Sequence, residues 1–194
     1  MPDGPTGDPR PLVGEPLAID LLNTVWVDGN QRHDLLSSLD GLSIWLRSPP
    51  VAAALGEQTA PATKESLHHL HEARVALRGL ITRSPQNSPD SRAALNAVLS
   101  RGALRRNLKS VGPTDQVQLD DPSWGPAWTA AASYLDLHAT RQRILRCANP
   151  QCVLYFYDAT KNKSRRWCSM SGCGNRAKAQ RHYQHITKRG IART

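Results

Sequence analysis

Cys147-Ala148-Asn149-Pro150-Gln151-Cys152 and Cys168-Ser169-Met170-Ser171-Gly172-Cys173 hold every cysteine of this 194-residue chain. Each pair encloses four residues, and fifteen residues separate the pairs. Zinc takes four ligands in a tetrahedron, about 2.3 Å from each sulfur, so two close thiolate pairs on a short connection close a small module. Within the connection, Val153-Leu154-Tyr155-Phe156-Tyr157 is β-branched and aromatic, Asp158 to Lys163 is turn-like, and Ser164 to Cys168 reads as a return strand. Beyond the second pair, Asn175 to Arg189 carries no Gly or Pro before Gly190, which predicts a helix.

Knuckle, hairpin, knuckle and helix follow the treble-clef plan. Two disulfides, or four unrelated thiols, are the competing readings. Disulfides belong to secreted chains, and Met1-Pro2-Asp3-Gly4-Pro5 has no basic region followed by an apolar stretch. No apolar run approaches the roughly 20 residues needed to span a bilayer. The expectation is one structural Zn2+ held by Cys147, Cys152, Cys168 and Cys173, in a cytoplasmic protein without membrane contact.

Charge is distributed unevenly. Residues 141–194 contain thirteen Lys and Arg against one acidic residue, Asp158, a net +12; the whole chain is +9, leaving residues 1–140 at −3. Local basicity of this kind points to a polyanion partner. At 3.6 residues per turn, Ala179, Tyr183 and Ile186 share one stripe of the predicted helix. Arg181, His185 and Lys188 lie opposite, flanked by Lys178, His182 and Arg189. On double-stranded DNA, Lys178, Arg181 and His182 are the expected groove-facing contacts. Lys161, Lys163, Arg165, Arg166, Arg176 and Lys188 are the expected phosphate contacts. Arg176 follows the last ligand so closely that bracing the zinc loop and pairing with an acidic group of the N-terminal domain are its other readings. Tyr155, Tyr157 and Trp167 read as finger core rather than base-stacking platforms, which favours duplex DNA. An RNA-binding or protein-interaction module is the alternative.

The motif Cys173-Gly174-Asn175-Arg176, with the two four-residue knuckles, Asp158-x-Thr160-Lys161-Asn162 and Arg165-Arg166-Trp167-Cys168, resembles the CGNR zinc finger. In that family the finger usually closes a chain that opens with an ABATE domain, described as a stress-induced transcription regulator. Gly14-Glu15-Pro16-Leu17-Ala18-Ile19-Asp20-Leu21-Leu22-Asn23-Thr24 is similar to that domain's opening motif, and Leu42-Ser43-Ile44-Trp45-Leu46 to a second block. The resemblance implies a two-part regulator: a finger on DNA and a larger part that senses an effector or self-associates.

The residues themselves predict an α+β protein: a mostly helical domain over 13–144 with a small β-hairpin, and a finger over 145–194. Residues 1–12, with Pro at 2, 5, 9 and 11, read as a disordered tail. Pro16 opens a helix carrying Leu17, Leu21, Leu22 and Val25, ended by Asp28-Gly29-Asn30. A helix over Leu39 to Leu46 stops at Pro49-Pro50. Thr63 caps a longer helix with an apolar stripe from Leu67 to Ile81, and Ser88-Pro89 starts another. Alternation around Leu104 to Leu108 and Val117 to Leu119 predicts a hairpin. An alanine-rich helix over Pro126 to Thr140 should turn Trp128, Ala132, Leu135 and Ala139 inward.

Nothing here predicts an enzyme. Four thiolates leave no open zinc position, the finger hairpin carries no histidine, and no phosphate loop or nucleophile elbow is present. His68, His69 and His71 read as a solvated helix surface. Asp20, Asn23 and Thr24 are polar in an apolar helix: they line an effector pocket or tie the helix to neighbouring backbone. A single finger reads few base pairs, so need alone argues for a homodimer.

Overall fold

The computed structural model describes residues 7–82 and 88–180. The first helix, α1 (Leu17–Leu22), is buried along its whole length and forms the axis of the core. It ends sooner than expected. Val25, Trp26 and Val27 prefer extended backbone, and Gly29 at φ +57° makes the tight reversal between β1 (Val25–Asp28) and β2 (Gln31–Asp34). Asp28-Gly29-Asn30 is therefore a hairpin turn, with Trp26 opposite His33 and their rings stacked at 5.0 Å.

Ser38 caps α2 (Leu39–Arg47), accepting from the Gly41 amide. A Cβ on Gly41 would lie 1.7 Å from the Leu35 carbonyl oxygen, so only glycine fits that first turn. Pro49 and Pro50 do not merely stop α2. They supply the first turn of α3 (Pro49–Leu55), where a missing amide costs nothing. Thr63 caps α4 (Lys64–Ile81) as predicted, and α5 (Ser88–Leu99) follows. The exposed hairpin of β3 (Gly102–Lys109) and β4 (Gly112–Leu119) leads to α6 (Gly125–Ala139).

In α6 the expected inward stripe is rotated. Ala127, Ala130, Ala131 and Leu137 are buried, whereas Leu135 is 47% exposed and Ala139 faces water. Alanine on several sides of this helix makes two apolar stripes look equivalent in sequence. Packing against α1 and α4 chooses between them, because small side chains allow close helix approach.

Strands β5 (Ile144–Arg146) and β6 (Tyr155–Tyr157) pair antiparallel across the first knuckle. The finger's hairpin thus surrounds Cys147 and Cys152. Residues 164–168 are irregular and form no return strand, because Asp158 and Thr160 gather that segment into a compact loop. A single π-helical turn, Met170–Gly174, carries Cys173, and residues 175–180 are helical.

One continuous core runs from Leu17, Ile19 and Trp45 through Leu70, Leu77 and Ala130 to Leu154, Tyr155, Phe156 and the four cysteines. Part of the expected tail joins it. Arg10 is 5% exposed and donates to both Asp8 and Asp20.

Candidate metal centre and nucleic-acid interface

The metal site is assembled by short-range hydrogen bonds. Cys147 closes β5, its amide donating to the Leu154 carbonyl, and Asn149 turns the chain back by accepting from the Cys152 and Gln151 amides. Ser169 caps the π-helical turn through the Gly172 amide and so presents Cys173. All four Sγ atoms lie within 4.8 Å of one another, and every cysteine is buried and free of disulfides. A tetrahedron with arms of about 2.3 Å has edges of about 3.8 Å. Cys152 Sγ and Cys168 Sγ are 3.8 Å apart, so the sulfurs already hold that spacing.

Without a metal, Cys147, Cys152 and Cys168 oppose one another's ionisation. The hydrogen bond from Cys168 pulls the Cys152 thiol down to about 5; the same bond, with burial, pushes Cys168 up, and burial pushes Cys147 up. A divalent soft-accepting cation removes that conflict, which is the chemistry of this donor set. Two donors brace the thiolates from outside: the Cys168 amide to Cys147 Sγ and Asn149 Nδ2 to Cys173 Sγ, each at 3.4 Å. Asn149 is not singled out by the spacing of the cysteines; its place inside a knuckle is the one sequence signal for this role. Zinc here is structural: four thiolates fill the coordination sphere, and its role is to fix the loops.

The finger docks on α1 through polar side chains. Asn23 Nδ2 donates to the Tyr155 carbonyl and Asn23 Oδ1 accepts from the Tyr155 amide, both at 2.9 Å. Its carboxamide thereby replaces a neighbouring strand. Glu15 accepts from the Tyr157 amide at 2.8 Å and from Arg165 at 3.1 Å. Arg165 also donates to the carbonyls of Tyr157, Trp167 and Cys168, and its guanidinium lies 4.4 Å from the Phe156 ring centroid. All three Arg165 nitrogens thus have partners within the protein, in contrast to a cation left open to phosphate as the sequence suggests. Sequence reasoning missed Glu15 because its partner lies 150 positions away.

Asp20 accepts from Arg10, the Gly14 amide and Trp45 Nε1. Thr24 donates to the Leu21 carbonyl and accepts from Arg74, which grips Asp34 with two nitrogens. Asp20, Asn23 and Thr24 are all at or below 1% exposure, and every polar side-chain atom has a protein partner. Of the two readings, the tie to backbone and neighbouring side chains is the one this geometry supports; none of the three lines the cavities described below.

Lys161, Lys163, Arg166, Arg176 and Lys178 are exposed. Lys163, at φ +47°, spends its ammonium on the Asp158 carbonyl and on Gln142. Lys161, Arg166, Arg176 and Lys178 enter no ion pair among the described residues. Arg166 lies 5.5 Å from the Trp167 ring centroid, and both line a groove of about 270 Å³ with Asn149, Gln151, Arg176 and Gln180. Arg181, His182 and Lys188 lie outside the described residues.

A closed four-thiolate centre docked on a helical domain defines a structural zinc-finger protein. Residues 15–141 match the ABATE family, described as "Putative stress-induced transcription regulator", and residues 143–185 match the CGNR zinc finger. The chain belongs to the ABATE family and carries a CGNR zinc finger behind that domain. No curated protein matches it. Among the described residues, no helix is long and apolar enough to cross a membrane.

Proposed function

We propose that this protein is a transcriptional regulator that binds double-stranded DNA through the finger, in the cytoplasm and without catalytic activity. The observation that carries the reading is the group Lys161, Arg166, Arg176 and Lys178: exposed, outside any described ion pair, and placed on the loop before Cys168 and the helical turn after Cys173, both anchored at the four-cysteine site. Cations left without internal partners are available to phosphate, and their fixed spacing sets register on a duplex. Arg181, His182 and Lys188 extend the same surface in this reading. The family description supports the regulatory role, with an effector or a second copy acting on the N-terminal domain.

The test is binding of zinc-loaded protein to random-sequence duplex DNA, single-stranded DNA and structured RNA over a salt series, repeated after chelation. With Lys161, Arg166, Arg176 and Lys188 on phosphates, the expected slope of log K against log salt is about −3.6, since each contributes roughly −0.9 on duplex DNA. Arg166→Ala and Arg176→Ala should each make the slope shallower by about 1. Loss of binding on chelation is expected, and absence of duplex binding at moderate salt would remove the reading. Preference for unpaired RNA would instead favour the half-exposed Trp167 as a stacking platform. Sedimentation of the free and DNA-bound protein tests the homodimer.

A further inference from the structure

We propose that the groove between α4 and α5 binds a small organic acid with an apolar body. It extends the sensing half of the proposed function and stands without the DNA-binding half. The groove holds about 420 Å³ and is lined by the apolar Val75, Ala94, Ala97 and Val98 and by Trp124, Arg101, His68, His71 and Glu72. That volume lies within the roughly 300 to 1,000 Å³ of small-ligand sites, and mostly apolar walls with few polar groups are their usual composition.

Three observations choose the ligand class. Val75 is 71% exposed although it sits on the packed helix α4, so a large aliphatic group in this wall has no covering partner. Trp124 is held rigid: His69 stacks on it at 3.5 Å and is itself anchored by Ser123 at 3.2 Å. A fixed indole beside an aliphatic wall suits a flat or flexible hydrocarbon body. Arg101 lies 5.1 Å from the Trp124 ring centroid and enters no ion pair among the described residues. Among the described residues it is a groove-lining cation without a carboxylate partner, and a guanidinium fork fits a carboxylate. The one carboxylate that lines the groove, Glu72, lies 3.5 Å from His68. The local balance therefore favours an anionic head at Arg101 and an apolar tail along Ala94, Ala97 and Val98.

Isothermal titration of the zinc-loaded full chain, without DNA, tests this with octanoate, 4-phenylbutyrate and indole-3-acetate beside their neutral primary amides. At least one acid should bind at a single site, with its amide about tenfold weaker, as loss of one charge-assisted contact implies. Ala97→Phe, a change at an exposed position, should fill the groove and abolish binding while leaving the unfolding temperature unchanged. Arg101→Gln should erase the preference for acid over amide and keep the amide's affinity. Failure of every acid at millimolar concentration overturns the proposal. So does binding that survives Ala97→Phe, or an effect of Ala97→Phe on oligomeric state alone. None of these outcomes touches the salt-dependent DNA measurement, so the two readings fail separately.

Discussion

Arg165 and Arg166 are neighbours with opposite fates, one clamped beneath the finger by Glu15 and three carbonyls, the other laid over Trp167 in water. Arg165→Lys keeps the charge but cannot reproduce the fork, and should cost about 2 kcal/mol, the scale of a charge-assisted hydrogen bond near the core. Arg166→Lys should leave stability within about 0.5 kcal/mol of wild type, as for other surface changes. Urea unfolding of the zinc-loaded variants checks both; equal effects would contradict the assignment. A linear sequence presents the two arginines alike, because what separates them is which carbonyls the loop brings within reach. The cysteines were legible for the converse reason. Ligand number and tetrahedral geometry are set by the metal, so spacing alone identifies them. Asp34 is also readable only in three dimensions. Burial would raise its pKa, but the two bonds from Arg74 outweigh it and hold the carboxyl below its usual range. A depressed folded pKa adds stability that is present above the unfolded value, about 3.9, and is lost as pH falls through the folded one. Asp34→Asn should therefore flatten the acid side of the stability curve below about pH 4 relative to wild type.

At the scale of elements, the instructive one is β6. A strand at a sheet edge leaves amides and carbonyls exposed to any passing partner. Here the outward groups of Tyr155 are both taken by Asn23, and those of Tyr157 by Glu15 and Arg165. Asn23→Ala removes both Tyr155 partners from a buried site and should destabilise by about 2 kcal/mol or more. Hydrogen exchange at the Tyr155 amide should accelerate before that of α4. Protection unchanged in the variant would show that the carboxamide is dispensable. Propensity and capping predicted α2, α4, α5, α6 and the β3–β4 hairpin, since each is specified by residues close in sequence. The β1–β2 hairpin was lost to the apolar continuity of α1, and the return strand over 164–168 was expected where tertiary contacts make a loop. Both failures arise where a distant partner, rather than local preference, decides the backbone.

For the whole molecule, a core continuous from α1 to Phe156 and the cysteines means that metal and domain stand or fall together. Chelation should lower the unfolding temperature of the entire protein in one transition. A loss of about 4 kcal/mol would correspond to roughly 10 °C for a chain of this size. Two separate transitions, with the helical part unmoved, would show that the finger is an independent appendage. The two-part division suggested by charge and composition describes where the cations lie. It could not reveal the joint, because Asn23 and Tyr155 are 132 positions apart. That separation also has a meaning during synthesis. Glu15 and Asn23 leave the ribosome early, as polar groups in an otherwise apolar segment, and their partners follow only when Tyr155 to Arg165 have been made. At about 5 to 20 residues per second, the first helix waits on the order of ten seconds or longer for its counterpart. Over that interval α1 can rest on α4 and then α6 as they are made, but the side that meets β6 stays open until the last quarter of the chain arrives.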